Sequence, residues 1–120
     1  MSRILAVDDS ASMRNMVRMT LTAAGFDVVQ AEDGDAALEL ARASSFDLVL
    51  ADLNMPRMDG VALVRALRAE ATYRTTPILM LTTESSPERK REGKAAGATG
   101  WIVKPFDPDQ LIATLKRVLG

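Results

Sequence analysis

The chain has 120 residues, 48% apolar and 26% charged, with a net charge of −1; that suffices for one core and one domain and argues against nucleic acid as a general partner, which needs a concentrated basic surface. It contains neither cysteine nor histidine, which excludes disulfides, thiol nucleophiles, thiolate zinc sites, Ser-His-Asp hydrolysis and phosphoryl storage on a histidine of its own. Carboxylates, hydroxyls and lysine remain for chemistry, and they suit hard, oxygen-seeking cations such as Mg²⁺.

Short apolar runs alternate with helix-like stretches five times. Ile4-Leu5-Ala6-Val7 predicts a first strand. Met13, Met16, Val17, Thr20, Leu21 and Ala24 then recur at helical spacing, with both methionines read as core residues, and Gly25 stops that helix. Asp27 to Ala31 reads as a second strand whose Gln30 suits a sheet edge. Asp33-Gly34 opens a second helix, with Asp33 as its cap, and Ala37, Leu38, Leu40 and Ala41 form its buried stripe. Asp47 to Ala51 is the third strand, followed by a loop from Asp52 to Asp59 with Asp59 as a turn former. Val61, Val64 and Leu67 mark a third helix, and Ile78 to Leu81 a fourth strand.

Ser86-Pro87-Glu88 is a strong start for a fourth helix, weakened by Gly93 inside it. Its Arg89, Lys90, Arg91 and Lys94 read as a solvated face or part of a protein-docking face. Trp101-Ile102-Val103 is the fifth strand, and Asp107-Pro108-Asp109-Gln110 caps a last helix with Gln110 at the capping-box position. Strands apolar on both faces and separated by helices imply a parallel sheet covered on both sides. The expected fold is a doubly wound α/β (βα)5 sandwich, strand order 2-1-3-4-5, with residues 1–120 as one domain and no output domain. No apolar run approaches the roughly 18 residues of a membrane span, no signal peptide stands at the start, and a cytoplasmic protein without membrane contact is expected.

Functional groups in open parallel sheets gather at the carboxyl ends of strands. Asp8 and Asp9 follow the first strand, Asp52 the third, Thr82 the fourth and Lys104 the fifth. Two carboxylates about 4 Å apart repel by roughly 4 kcal/mol at an effective dielectric near 20, and one lysine does not offset three acids. A divalent cation removes the deficit. Mg²⁺ beside carboxylates, facing an ammonium and a hydroxyl, makes a cradle for a phosphoryl group, in which one acid attacks phosphorus.

Asp8-Asp9, Asp52-Leu53-Asn54-Met55-Pro56 with Asp59-Gly60, Thr82, and Lys104-Pro105-Phe106 resemble, in order and spacing, the signature of response-regulator receiver domains. Asn54, Glu84, Gly97-Ala98 and Trp101 are most similar to stand-alone CheY-like chemotaxis regulators. The resemblance implies that Asp52 is the phosphoacceptor. It implies Mg²⁺ (Mn²⁺ as a substitute) on Asp9, Asp52 and the backbone carbonyl of Asn54, with Asp8 near or acting through water. Thr82 and Lys104 would hold phosphoryl oxygens, and a cis Lys104-Pro105 bond would aim the lysine. Thr82 and Trp101 would form the switch; tryptophan departs from the usual Tyr or Phe. Asn54 and Glu84 would tune hydrolysis. The donor would be a CheA-like histidine kinase, and the target, the flagellar motor switch among the candidates, would bind the surface of the fourth helix, fifth strand and fifth helix. Catalysis would extend only to the chain's own phosphorylation and dephosphorylation.

Three other classes share part of this pattern. A haloacid-dehalogenase-type phosphatase needs an acid two residues after its nucleophile, where Asn54 stands. A flavodoxin-like carrier needs a phosphate-binding first loop, which Asp8-Asp9 would repel. A phosphate sink or a phosphorylation-independent docking module is the remaining alternative, although a degenerate docking module would lack the acceptor or ligands.

Overall fold

In the computed structural model, which describes residues 2–55, 58–83 and 86–120, the alternation resolves into five parallel strands and five helices. The strands are β1 (Arg3–Val7), β2 (Asp27–Ala31), β3 (Leu48–Asp52), β4 (Ile78–Thr82) and β5 (Gly100–Val103). The helices are α1 (Ala11–Ala23), α2 (Gly34–Ala43), α3 (Gly60–Arg68), α4 (Pro87–Ala96) and α5 (Pro108–Leu119), with a short 3₁₀ turn at Ala71–Tyr73. The sheet order is β2-β1-β3-β4-β5, as expected, and β2 with its Gln30 is an edge strand.

Period-two alternation divides the core. Leu5, Val7, Val49, Ala51, Ile78 and Met80 face one way, packing with Ala37, Leu38, Val61, Val64 and Leu67 of α2 and α3. Ile4, Ala6, Leu48, Leu50, Leu79 and Leu81 face the other, against Val17 and Leu21 of α1 and Leu111 and Leu115 of α5. A strand buried on both faces is apolar along its buried length, and the three central strands are so over Ile4 to Val7, Leu48 to Ala51 and Ile78 to Leu81.

Local chemistry sets the helix ends. Ser10, Asp33, Asp59, Ser86 and Asp107 each cap the following helix through a side-chain oxygen that accepts a backbone N–H. Asp59 is therefore a cap rather than only a turn former. The Asp107 bond comes from the N–H of Asp109 at 3.0 Å. Gly25, just past α1, has φ +94°, a left-handed conformation that favours glycine. The Lys104-Pro105 peptide is cis.

Three expectations shift. β3 starts at Leu48 and includes Asp52, because the ladder pairs Asp52 with Leu81, while Asp47 turns out to accept the Arg3 N–H at 2.7 Å. Thr82 likewise belongs to β4, opposite Val103. Met16 is not core but 52% exposed: Val17 and Leu21, four residues apart, set the inward face of α1, and Met16 lies about 100° around the helix from Val17. Met13 is half-buried against the second cluster.

Candidate functional site

Every strand ends at the same rim, so residues distant in sequence converge there. Asp8 comes directly after β1, Asp52 ends β3, Thr82 ends β4 and Lys104 follows β5. The Lys104 N–H donates to the Thr82 carbonyl at 2.8 Å, which starts the lysine stem at the tip of β4. Its Nζ reaches Asp8 Oδ2 at 2.8 Å and Asp52 Oδ1 at 3.5 Å. Asp8, Asp52 and Thr82 are buried, whereas Asp9 is exposed. Oxygens of Asp8, Asp9 and Asp52 nevertheless lie within 4.8 Å of one another.

Behind Asp52 the chain doubles back tightly. The Gly60 N–H donates to the Leu53 carbonyl at 2.7 Å. A β-carbon at Gly60 would stand 2.5 Å from the Asp52 carbonyl oxygen and 2.8 Å from Leu53 Cα. Only glycine permits that backbone approach, so Asp59-Gly60 closes the loop that presents Asp52.

The electrostatics are lopsided. Burial, reinforced by the neighbouring charges of Asp8 and Asp9, pushes the Asp52 carboxyl up from its ordinary 3.8 to about 6, against the opposing pull of Lys104 and the Asn54 N–H. That N–H donates to Asp52 Oδ1 at 3.4 Å. Three acids against one ammonium, with oxygens close enough to share one small ion, form an acidic pocket whose donor set fits a hard divalent cation.

Asp8, Asp9, Asp52 and Lys104 are thus brought together as expected, and Thr82 stands on the adjacent strand. Asn54 is exposed and adjoins Asp52 through its N–H. Glu84 and Pro56 lie outside the described residues. Two further contacts hold Asp8: the Ser10 N–H donates to Asp8 Oδ1 at 2.9 Å, a bond from a side chain to the backbone two residues on that aspartate favours, and Arg14 Nη1 donates to the Asp8 carbonyl at 2.6 Å. The second ends on a backbone acceptor, which carries no residue-type signature, so nothing in the sequence marks it in advance.

Trp101, opposite Met80 on β5, packs on the first cluster. Its ring explains Gly93: a β-carbon there would meet Trp101 Cζ3 at 2.8 Å. Glycine is retained in α4 because the indole fills the notch, not merely as a weak point. Gly93→Ala ordinarily gains about 1 kcal/mol in a helix. We expect the gain in a Trp101→Phe background and a loss in the wild type, read from thermal melts of the four proteins. The single tryptophan reports the displaced ring as a shift in its emission. Equal gains in both backgrounds would refute the fit between notch and ring.

The family model described as "Response regulator receiver domain" matches residues 4–116. A chemotaxis protein CheY homolog of Campylobacter jejuni is 41% identical over 98% of this chain and 92% of its own length. Among solved structures, chemotaxis protein CheY4 of Vibrio cholerae superposes with a TM-score of 0.95 at 56% identity, covering 98% of each chain. The receiver domain of sensor histidine kinase PA1611 from Pseudomonas aeruginosa, with a magnesium ion coordinated in its active site cleft, matches with a TM-score of 0.93 at 28% identity, over 99% of this chain and 98% of that one. With the ordered rim residues and the 2-1-3-4-5 sheet, these likenesses place the chain in the response-regulator receiver domain family.

Proposed function

We propose that the protein is a Mg²⁺-dependent phosphoryl acceptor that switches a protein-binding surface in chemotaxis signalling. The observation that carries this reading is Lys104 Nζ spanning Asp8 and Asp52 at 2.8 and 3.5 Å, with Asp9 completing the acid cluster. Asp52 is the nucleophile. One of its carboxylate oxygens attacks phosphorus of a kinase phosphohistidine; the P–O bond forms, the P–N bond breaks, and the electron pair returns to the imidazole, which takes up a proton. Asp9, Asp52 and the Asn54 carbonyl would hold the cation, with Asp8 close by or linked through water. Bound Mg²⁺, for which Mn²⁺ substitutes, supplies charge neutralisation at the phosphoryl oxygens.

Lys104 already sits against Asp52, so its ammonium is placed to pair with a phosphoryl oxygen without a large movement. Thr82 contributes its hydroxyl from the next strand. Movement of Thr82 is passed on to α4, and Trp101 follows through its seat on Gly93. The output is the α4–β5–α5 face, where Val103 is 48% exposed. A groove of about 460 Å³ runs there between β5 and α5, lined by Trp101, Val103, Phe106 and Gln110 among others. The flagellar motor switch is a candidate target, a CheA-like histidine kinase the donor, and the cytoplasm the setting. Glu84 and Asn54 tune hydrolysis of the acyl phosphate, which resets the switch; the chain acts on no other substrate.

Brief incubation with acetyl phosphate and Mg²⁺, followed by intact mass, tests this. The expected result is one added phosphoryl group, which does not form when EDTA is present from the start and is absent from Asp52→Asn. No adduct from acetyl phosphate or from a phosphorylated kinase would instead favour a phosphorylation-independent docking module.

A further inference from the structure

Arg14 has no part in the chemistry above, yet it holds the backbone of the acid cluster. It lies in the first turns of α1 and is only partly exposed. Its Nη1 donates to the carbonyl of Asp8 at 2.6 Å. That carbonyl belongs to the peptide joining Asp8 to Asp9, so the bond fixes the plane from which the Asp9 side chain departs. Every other polar atom of Asp8 is also taken. Its N–H donates to Ala31 O at 3.2 Å, Oδ1 accepts from the Ser10 N–H at 2.9 Å, and Oδ2 accepts from Lys104 at 2.8 Å. Asp9, by contrast, is exposed, and a solvent-facing side chain has many rotamers to lose when it binds an ion. Among the described residues, the orientation of its own peptide is what constrains it from below. Arg14 stands at the rim with Asp8, Val17, Leu50 and Leu81 around a small cavity, so its stem is held as well as its head.

We propose that Arg14 is a positioning residue for cation binding: it presets the Asp8–Asp9 peptide so that the exposed Asp9 carboxylate meets the ion with less ordering. This rests on the Mg²⁺-binding reading above. The bond is to a carbonyl, not to a carboxylate, so Arg14 itself occupies no side-chain oxygen of the three acids. Outer-shell partners of this kind typically contribute tenfold or more to metal affinity.

Three proteins decide it: the wild type, Arg14→Met, which keeps the stem and removes the donor, and Arg14→Lys, which keeps a single donor on a stem of similar length. Mg²⁺ is titrated against the melting temperature, and separately against the initial rate of phosphorylation by acetyl phosphate. In Arg14→Met the half-saturating Mg²⁺ concentration should rise about tenfold in both titrations, while the rate at saturating Mg²⁺ stays within about twofold. Arg14→Lys should remain within about threefold of the wild type by both measures. Should Arg14→Met not fold in EDTA, Arg14→Gln, too short to reach the carbonyl, takes its place with the same expectation.

Unchanged half-saturation in the donor-less variant overturns the proposal, and so does an equal loss in Arg14→Lys, which would indicate packing rather than the hydrogen bond. A wild type whose melting ignores Mg²⁺ would instead overturn the metal reading itself, separately from the role of Arg14.

Discussion

Lys104→Met should unfold far more easily than the wild type in EDTA at pH 8. The ammonium lies 2.8 Å from Asp8 and 3.5 Å from Asp52, and the three side chains are 12%, 6% and 9% exposed, so water screens little of the interaction. Removing one member of a buried pair leaves the other charges uncompensated, at a cost of about 3 kcal/mol or more. In a chain of this size that lowers the melting temperature by roughly 12 °C. Methionine preserves most of the stem's volume, so the loss is electrostatic rather than a cavity effect. It should shrink in saturating Mg²⁺, which places positive charge beside the same oxygens. Lys116→Met on the exposed side of α5 is the control and should change stability by less than about 0.5 kcal/mol. A Lys104→Met melt no lower than the control would remove the electrostatic account of the rim.

Asp52→Asn moves the other way. The folded protein holds the Asp52 proton with a pKa of about 6 against 3.8 ordinarily, chiefly through burial. A carboxyl with a raised pKa is easier to bury protonated than ionised. Above pH 6 the folded state therefore carries the full penalty, about 3 kcal/mol. Between pH 6 and 4 the penalty fades as the native carboxyl protonates, and below pH 4 both states are protonated and none remains. Asparagine removes it at every pH. In EDTA at pH 8 the variant should melt higher by about 8 °C, allowing for imperfect amide contacts, and the difference should vanish near pH 4. Adding Mg²⁺ at pH 8 should stabilise the wild type more than the variant. A gap that stays constant from pH 8 to pH 4 would show that burial of the charge is not its source.

What the amino-acid order disclosed, and what it hid, follows from the kind of interaction involved. The sheet was legible because strands buried on both faces must be apolar throughout, and Ile4 to Val7, Val49 to Ala51 and Ile78 to Leu81 are. The rim was legible because its side chains end those runs abruptly, and the topology of a parallel sheet sends all such ends one way. Strand limits were less clear. Asp47 reads as a strand residue by its position, but its carboxylate is taken by the Arg3 N–H, while Asp52 and Thr82 extend the ladders because neighbouring strands pair with them. Met16 fits an apolar stripe as well as Met13 does; which one points inward depends on the angle at which α1 lies on the sheet. Gly93 reads as a flaw in α4 until Trp101 is seen to occupy its missing side chain. The Arg14 bond ends on a main-chain oxygen, which every residue possesses, so no pattern of side chains announces it.

The contrast between the two neighbouring acids defines a route of entry for a cation. Asp8 is anchored and sheltered, while Asp9 opens to solvent. An ion arriving from bulk water meets Asp9 first and can leave by the same path without any element of the sheet separating. Loading would then need no opening of the fold. On the proposed function, the ion would exchange at this rim while the sheet stays closed.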